Sequence, residues 1–309
     1  MEKIVSLAKR RGFIFPGSEI YGGLAGTWDY GPLGTELKNN IKKEWWNFFV
    51  HGRDDIFGVD SAILMNRGVW EASGHLENFS DPMVDCKKCN VRFRADTIDP
   101  NASCPECGAK NYTEARAFNM MFKTYAGPVE DAATEIFLRP ETAQGMFVNF
   151  KNIIDSMHPK LPFGIAQIGK AFRNEITPGN FIFRAREFEQ MEIEYFVRPA
   201  DWESSFENWL LEIRKWLQFL GISNNTVERE VPDGDRAHYS SRTVDIDFNF
   251  PFGTEELYGI ACRSDFDLKN HAAASGVELT YYDGITKEKF VPYVTEPTFG
   301  VDRTVLALF

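Results

Sequence analysis

The chain has 309 residues, of which 43% are hydrophobic and 26% charged, as is typical of a globular protein with a sizeable core in one large or two modest domains. Its formal net charge of −11 argues against unspecific binding to nucleic acids or membranes, because affinity for phosphate backbones comes from Lys and Arg side chains. The sequence has neither a long apolar run nor a signal-like start, which favours a cytoplasmic protein that does not enter a membrane.

The N-terminal part predicts two helices separated by a glycine-rich loop. Residues 1–12 predict a short helix that ends near Gly12, and residues 36–50 predict a longer helix with one buried stripe. The glycines of residues 13–34 allow tight turns or the close approach of a ligand, although an ordinary surface loop explains them equally well. Basic clusters, which either contact RNA or are simply solvated, occur at Lys9–Arg11, Lys38–Lys43 and Lys87–Arg94.

Four cysteines form two C-x₂-C pairs within residues 85–112, and a fifth, Cys262, stands alone. Pairs at this spacing can place four thiolates tetrahedrally around Zn²⁺, and disulfides are the alternative that a cytoplasmic setting disfavours. Four thiolates fill the coordination shell, so the predicted zinc is structural and takes no part in chemistry. Cys262 is predicted to be a small buried residue. The predicted zinc ligands are Cys86, Cys89, Cys104 and Cys107.

Residues 163–197 predict two strands joined by a loop at residues 177–180, where proline, glycine and asparagine favour a turn. Because alternate residues of a strand share a face, the second strand has an apolar side and a polar side. The apolar side carries Met191, Ile193, Tyr195 and Val197. The polar side carries Arg184, Arg186, Phe188, Gln190, Glu192 and Glu194, joined from the first strand by Gln167, Gly169, Ala171, Arg173 and Glu175.

This polar side has two interpretations. One is a solvated surface with salt bridges. The other is a nucleotide site, because the planar forks of Arg173, Arg184 and Arg186 suit phosphate and Phe188 offers a ring to a base. The second interpretation predicts ATP as the ligand.

The remaining elements add a few candidates. Residues 138–145 end a strand and begin a helix that runs to about Met157, and residues 199–220 form an amphipathic helix before Gly221. Asp245 and Asp247, on the polar side of a strand over residues 242–250, either bind a metal or form a plain polar face. Arg263 is expected to pair with Asp265. Pro297 and Gly300 are expected to break a strand before a helix whose first turn contains Arg303, and a cation there indicates a nearby anion.

Seven segments in order resemble the glycyl-tRNA synthetase family of class II aminoacyl-tRNA synthetases, over almost the whole chain. They are WDYGPLG (28–34), VWEASGH (69–75), FNMMFKT (118–124), LRPETAQG (138–145), FRNE with FRAREFEQMEIEYF (172–175 and 183–196), RTVDIDFNF (242–250) and EPTFGVDR (296–303). The resemblance implies an α+β fold: a class II synthetase-type antiparallel sheet flanked by helices, forming one catalytic domain over residues 1–309 with a zinc-ribbon-like insertion at 85–112. It also implies a homodimer, with an interface formed by the helix at 36–50 and the following strand.

The resemblance implies an enzyme that activates glycine with ATP and Mg²⁺ and transfers it to tRNA(Gly). The catalytic residues would be Arg173, Arg303 and Glu256, with Glu256 near Mg²⁺. The ATP-binding residues would be Arg173, Asn174, Glu175, Phe183, Arg184, Phe188, Glu256, Leu257, Gly300 and Arg303.

The implied glycine-binding residues are Arg94, Glu141, Gln190, Glu192, Glu296 and Thr298. For two of these residues, a second interpretation of the side chain stays open. Glu141, near a helix start, complements the helix dipole or binds the amino acid's ammonium, and the resemblance favours binding. Arg94 either contacts the substrate or is a side chain that contacts tRNA or is simply solvated. The family commonly has a serine where Thr298 stands.

Two further hypotheses compete with a complete enzyme. The chain ends within an apolar run, which indicates a truncated catalytic core without the family's anticodon-binding domain, able to activate glycine but poor at charging tRNA. A non-catalytic, synthetase-like accessory protein that binds nucleic acid is the rival from another class. Such a protein should have lost ligand arginines and glutamates, whereas every position matched here is filled.

Overall fold

The computed structural model describes residues 1–99, 101–131 and 134–309 of the chain. Residue 100, within the predicted insertion, lies outside these residues. In the described part of the chain, no helix has both the length and the apolar character that crossing a membrane requires.

A seven-stranded sheet forms the centre of the protein. In spatial order its strands are β12 (Thr226–Glu230), β13 (Arg242–Phe250), β14 (Gly253–Ser264), β17 (Tyr293–Gly300), β11 (Glu187–Val197), β10 (Phe163–Phe172) and β3 (Ile56–Gly58). All neighbouring strands are antiparallel except β10 and β3, which are parallel. The prediction of a mostly antiparallel sheet is confirmed.

Helices pack on both faces of this sheet: α1 (Glu2–Arg10), α2 (Pro32–Trp46), α7 (Trp202–Phe219) and α9 (Val301–Ala307) contribute to one core, and α5 (Ala143–Val148), α6 (Phe150–Met157) and α8 (Phe266–Ser275) to the other. Two short helices, α3 (Arg67–Ala72) and α4 (His75–Asn78), belong to a separate small core with Met121 and Phe137. Trp45 of α2 and Trp216 of α7 belong to the core on one face. Phe147 of α5 and Phe150 of α6 pack with Phe196 on the other face.

Among the described residues, short strands build four smaller sheets. They are β1 (Ile14–Pro16) with β2 (Trp28–Tyr30), β4 (Leu64–Met65) with β9 (Glu135–Leu138) and β8 (Lys123–Tyr125), β6 (Arg92–Arg94) with β5 (Ser80–Asp85) and β7 (Arg116–Asn119), and β15 (Tyr281–Tyr282) with β16 (Lys289–Phe290). The third of these sheets carries the cysteines: Cys86 follows β5 directly and forms a bridge with Tyr112.

The predicted helices form with shifted ends, and the one predicted to run to Met157 is divided at Asn149 into α5 and α6. α1 ends at Arg10, before Gly12 with its positive φ of 72°, and α7 ends before Gly221 with φ 74°. α2 begins at Pro32 rather than residue 36, because proline at the first helical position loses no hydrogen bond. Its last turn widens into a π-helix over Asn47–His51.

The central hairpin confirms the predicted alternation. Met191, Ile193, Tyr195 and Val197 all belong to the core on one side of β11. Gln190, Glu192 and Glu194 on the other side are buried, so the interpretation of this side as a solvated surface is wrong. β11 begins only at Glu187, because residues 181–183 form a 3-10 turn.

Pro297 does not break its strand, contrary to the prediction. β17 continues through it to Gly300 and pairs with β14 at Ile260. On its other side β17 pairs with residues 190–192 of β11 and again with β11 from Tyr195 onward. The ladder is interrupted between these two stretches, at the position opposite Pro297. A proline has no N–H to donate, so the strand accommodates it where this ladder is interrupted.

Candidate functional site

An open cleft with a volume of about 440 Å³ lies over the polar side of β11, β14 and β17. It brings together residues from segments that are far apart in the sequence. Of the predicted ligand residues, those lining it are Arg94, Glu141, Arg173, Glu175, Phe183, Arg184, Phe188, Gln190, Glu192, Glu256, Leu257, Glu296, Thr298, Gly300 and Arg303. Asn174 is not among the lining residues, and its backbone N–H donates to the Met120 carbonyl at 2.7 Å.

One end of the cleft carries arginines beside aromatic rings. The Arg173 guanidinium lies 5.2 Å from the centre of the Phe188 ring, and its Nε donates to the Pro140 carbonyl at 3.1 Å. The Arg303 guanidinium lies 4.3 Å from the Phe183 ring centre. Two of the flat cations predicted for a nucleotide are therefore held against flat rings.

Arg186 does not belong to this cleft, which corrects the prediction of three arginines on one face. Its Nη1 donates to the Ala25 carbonyl at 2.7 Å and its Nη2 to the Glu175 carbonyl at 3.0 Å. Strict alternation ends where β11 begins, at Glu187, so parity does not decide where Arg186 points. Its role is to tie the glycine-rich N-terminal loop to the hairpin.

Two buried polar groups in the cleft lack partners within the described residues. Glu175 has one carboxylate oxygen, and Gln190 its amide oxygen, without a hydrogen bond. Both side chains line the cleft and are less than a tenth exposed. Because a buried polar atom without a partner is costly, these oxygens fit a ligand that donates hydrogen bonds.

Two carboxylates near the arginines come from neighbouring strands. Glu256 pairs with Arg303 at 3.1 Å and lines the cleft together with Asp245. Burial, and then the charge of Glu256, raise the pKa of Asp245 from 3.8 to about 6. Asp245 also pairs with Arg229 at 2.7 Å, so both carboxylates have a cation partner on one side, and carboxylates in such a pair are also typical ligands of a Mg²⁺ ion shared with phosphate oxygens. Asp247 binds the same Arg229 at 2.7 Å but is not among the residues that line the cleft.

The other end of the cleft is lined with buried acids. Glu192 accepts hydrogen bonds from Thr142 at 2.5 Å and from Thr298 at 2.9 Å. Glu296 accepts two hydrogen bonds from Nη1 of Arg263, at 3.0 and 3.1 Å. Burial raises the pKa of both glutamates; the charge of Glu141 adds to this effect for Glu192, whereas Arg263 opposes it for Glu296. Acids with raised pKa values in one pocket favour a cationic ligand, which would restore the charge balance.

Glu141 is held by a network that sequence reasoning missed. Gln144 donates to it at 3.0 Å, His75 lies at 3.4 Å, and Arg263 at 3.7 Å. Burial would raise the pKa of Glu141, but His75 and Arg263 together lower it. Gln144 and His75 both stand in the segments that resemble the synthetases, which was the available signal, yet only the fold shows that they meet at this carboxylate.

Arg263 pairs with Asp267 at 2.7 Å, not with Asp265 as predicted. Arg263 lies at the end of β14 and Asp267 in the first turn of α8, where its carboxylate meets the guanidinium, whereas Asp265 binds Lys269 at 2.7 Å. The Tyr239 ring lies 3.7 Å from the Arg263 guanidinium and lines the cleft. The sequence carried no signal for this aromatic contact.

The four paired cysteines form one cluster, and none is in a disulfide. Their sulfur atoms lie within 4.8 Å of one another, with Cys86 and Cys107 at 3.6 Å and Cys89 and Cys104 at 3.7 Å. Four thiolates around zinc at 2.3 Å would be about 3.8 Å apart, so the cluster fits the ion. Backbone N–H groups of Cys89 and Lys88 lower the pKa of Cys86 to about 6, whereas, against a backbone hydrogen bond from Val91, burial and the neighbouring thiols raise the pKa of Cys89 to about 12. Cys262 is fully buried elsewhere, as predicted.

The antiparallel sheet and its cleft of arginines and buried acids define a class II aminoacyl-tRNA synthetase core. Residues 122–309 match the family described as tRNA synthetase class II core domain (G, H, P, S and T). The chain is 54% identical over 335 aligned positions to a glycine–tRNA ligase of Alkaliphilus oremlandii and 56% identical to one of Alkaliphilus metalliredigens, in each case covering 99% of this chain and 72% of the relative. It is 53% identical to that of Geobacillus thermodenitrificans, with the same coverage. The chain belongs to the glycine–tRNA ligase family.

Proposed function

We propose that the chain catalyses the reaction named for its family in two steps. The glycine carboxylate attacks the α-phosphorus of ATP, which forms glycyl-adenylate and releases pyrophosphate. The terminal adenosine of tRNA(Gly) then takes the glycyl group and AMP leaves. The observation that supports this best is the single cleft with stacked arginines at one end and buried acids at the other.

At the arginine end, Arg173 would bridge the α-phosphate and the glycine carboxylate, while Arg184 and Arg303 bind the outer phosphates. Phe188 would stack on adenine, and the unpartnered oxygen of Glu175 would accept from its amino group. Positioning and charge neutralisation are sufficient here, because the substrate itself supplies the nucleophile. The remaining nucleotide contacts are assigned to Asn174, Phe183, Leu257 and Gly300.

Glu256 and Asp245 would hold Mg²⁺, which when bound neutralises charge on the phosphates. Glu256 also fixes Arg303 at 3.1 Å, so the same carboxylate would position both a cation and an arginine. Catalysis is thus assigned to Arg173, Arg303 and Glu256.

At the acidic end, Glu141, Glu192 and Glu296 would surround the ammonium of glycine. Thr298 supports this assignment because its hydroxyl fixes one Glu192 oxygen at 2.9 Å. Gln190 and Arg94 complete the proposed set; Arg94 lines the cleft but also pairs with Asp81 at 2.8 Å. Glycine has no side chain to bind, so selectivity would come from excluding larger amino acids.

The cysteine cluster would bind a structural zinc ion and stabilise a lobe over residues 85–112. The turns support this, since Asn90 donates to the Cys86 carbonyl at 2.8 Å and Gly108 to the Cys104 carbonyl at 2.9 Å, which gives both pairs the same local geometry. Native mass spectrometry should find one zinc per chain. The ion should be lost in Cys86→Ser and retained in Cys262→Ser; a metal-free native chain would contradict the proposal.

The proposal includes a cytoplasmic homodimer that uses α2 in its interface. Five free cysteines agree with a reducing compartment, and Trp46 of α2 is only partly buried in the single chain. Sedimentation at several concentrations tests the dimer directly.

The decisive experiment compares glycine-dependent ATP–pyrophosphate exchange with charging of tRNA(Gly) on one preparation. Both activities are expected for an enzyme that works as proposed. Exchange without charging would indicate that this chain activates glycine only. Absence of both would favour the non-catalytic accessory protein, to which neither the filled ligand positions nor the names of the relatives lend support.

A further inference from the structure

Glu194 is a buried acid for which the proposed reaction has no use. Its side chain is 0% exposed and lies at the centre of β11. Both of its carboxylate oxygens lack a hydrogen-bond partner within the described residues. It is not among the residues that line the cleft, although it lies on the same face of β11 as Glu192.

The strand register places Glu194 against one of those acids. The pairs Glu192 with Thr298 and Tyr195 with Thr295 put Glu194 opposite Glu296 across the interrupted part of the ladder. On its other flank Glu194 pairs with the apolar Ile165. Carboxylate oxygens of Glu192, Glu194 and Glu296 lie within 4.8 Å of one another. Like charges directly opposite on neighbouring strands repel, so three ionised acids here would be strongly unfavourable.

The donors nearby are already used by other acids. Arg263 directs its guanidinium at Glu296 and Asp267, and Thr298 donates to Glu192. The charged groups that face Glu194 are Glu192 from the same strand, Glu296 from β17, Arg263 from β14 and Asp267 from α8. Two further titratable groups, Glu141 and Tyr239, face the Arg263–Glu296 pair. Burial first, and then the charge of Glu296, raise the pKa of Glu194 well above its usual value.

We propose that Glu194 is a positioning residue of the amino-acid pocket: it stays protonated and its O–H donates to the acid opposite, Glu296, which it holds in place without adding a charge. The inference rests on the proposed glycine-binding role of the cleft. The proton stays on Glu194 throughout, so no bond to it breaks during the reaction. The other acids of the pocket can then be ionised to bind one ammonium, without an additional charge on Glu194 to repel them.

The test compares Glu194→Gln, which is neutral and retains a donor, with Glu194→Met, which is neutral and has none. ATP–pyrophosphate exchange gives the KM for glycine and the KM for ATP separately. Glu194→Gln should change the glycine KM by less than about threefold, whereas Glu194→Met should raise it about tenfold or more with the ATP KM unchanged, because a buried charged acceptor loses a donor. Glu187→Gln, an exposed position on the same strand, is the matched control.

The thermal midpoint as a function of pH provides a readout that does not depend on activity. An acid whose pKa is raised by folding binds more protons folded than unfolded, so its contribution to stability falls as pH rises above the unfolded value. The midpoint of Glu194→Gln should therefore rise relative to the native chain between about pH 5 and pH 8. The Glu187→Gln midpoint should follow the native one.

Two outcomes would overturn the inference. If Glu194→Gln impairs glycine binding as strongly as Glu194→Met while its midpoint falls relative to the native chain with rising pH, the acid is ionised. If Glu194→Met folds with an unchanged glycine KM, the residue positions nothing. A native chain without glycine-dependent exchange would instead contradict the proposed function, and the pH-dependent midpoints would still decide the protonation of Glu194.

Discussion

The two ends of the cleft differ in how far their charged side chains are buried. At the acidic end, the paired side chains of Arg263 and Glu296 are 1% and 6% exposed, whereas at the arginine end those of Arg303 and Glu256 are 25% and 46% exposed. The acidic end is a closed network in which nearly every donor has an assigned acceptor. The arginine end keeps charges that are partly solvated.

This difference teaches how one sheet can serve two substrates. A small ammonium needs fixed acids in a dry pocket, where electrostatic interactions are strong and no rearrangement is required. A triphosphate needs more room, and much of its charge stays near water. Substitutions at the acidic end should therefore mainly lower the free energy of unfolding, and substitutions at the arginine end should mainly lower the reaction rate.

The largest effect on the difference between the two ends is expected from Arg263→Met. The substitution leaves Glu296 and Asp267 buried without their cation, which should lower the free energy of unfolding by about 3–5 kcal/mol. Chemical denaturation measures the change. The control is Arg214→Met, which removes an exposed bidentate pair with Glu228 and should cost less than about 1 kcal/mol. Equal losses would mean that burial does not distinguish the two ends.

Arg173→Ala tests the arginine end through rate. Because this guanidinium is proposed to stabilise charge at the α-phosphate, glycine-dependent exchange should fall about 10²–10³-fold, with little change in the thermal midpoint. Arg214→Ala serves as the control on the same assay. Near-normal exchange in Arg173→Ala would remove this residue from the mechanism.

Thr298→Val sharpens the comparison within the acidic end. The change removes the 2.9 Å hydrogen bond to Glu192 while keeping the shape of the side chain. Loss of one donor to a buried charged group costs about 1.5–3 kcal/mol, so the glycine KM should rise about tenfold. Thr298→Ser retains the hydroxyl and should bind glycine as the native chain does; a KM raised equally in both variants would mean that the hydrogen bond to Glu192 is not the cause.

The smallest effect is expected from Asp245 at the solvated end. Burial and the charge of Glu256 raise its pKa to about 6, so it is ionised above pH 6 and protonated below. The Mg²⁺ concentration for half-maximal exchange should therefore increase as pH falls through 6, and this change should be weaker in Asp245→Asn. The same raised pKa means that the contribution of Asp245 to stability is lost as pH rises from about 4 to 6. A Mg²⁺ requirement with identical pH dependence in both proteins would remove Asp245 from the metal site.

Local patterns predicted the elements and many of the lining residues. The alternation in residues 187–197 follows from the period of a strand, and the C-x₂-C spacing from the geometry of a short turn. Prediction failed where a residue's partner is set by the fold. Arg186 lies just outside the regular strand and binds the N-terminal loop instead of the cleft. Pro297 stays inside its strand because the missing N–H coincides with a gap in the ladder.

The sequence by itself determined that residues 163–197 form a polar-faced hairpin, that four cysteines can meet, and that the segments of a class II synthetase occur in order. These features depend on neighbours within a few residues, whose geometry the backbone fixes. Only the tertiary structure decided which acids have a hydrogen-bond partner. Glu296 is paired with Arg263, whereas Glu194 has no partner within the described residues. Burial and cross-strand register are properties of distant segments brought together, and they determine the charge of each acid in the cleft.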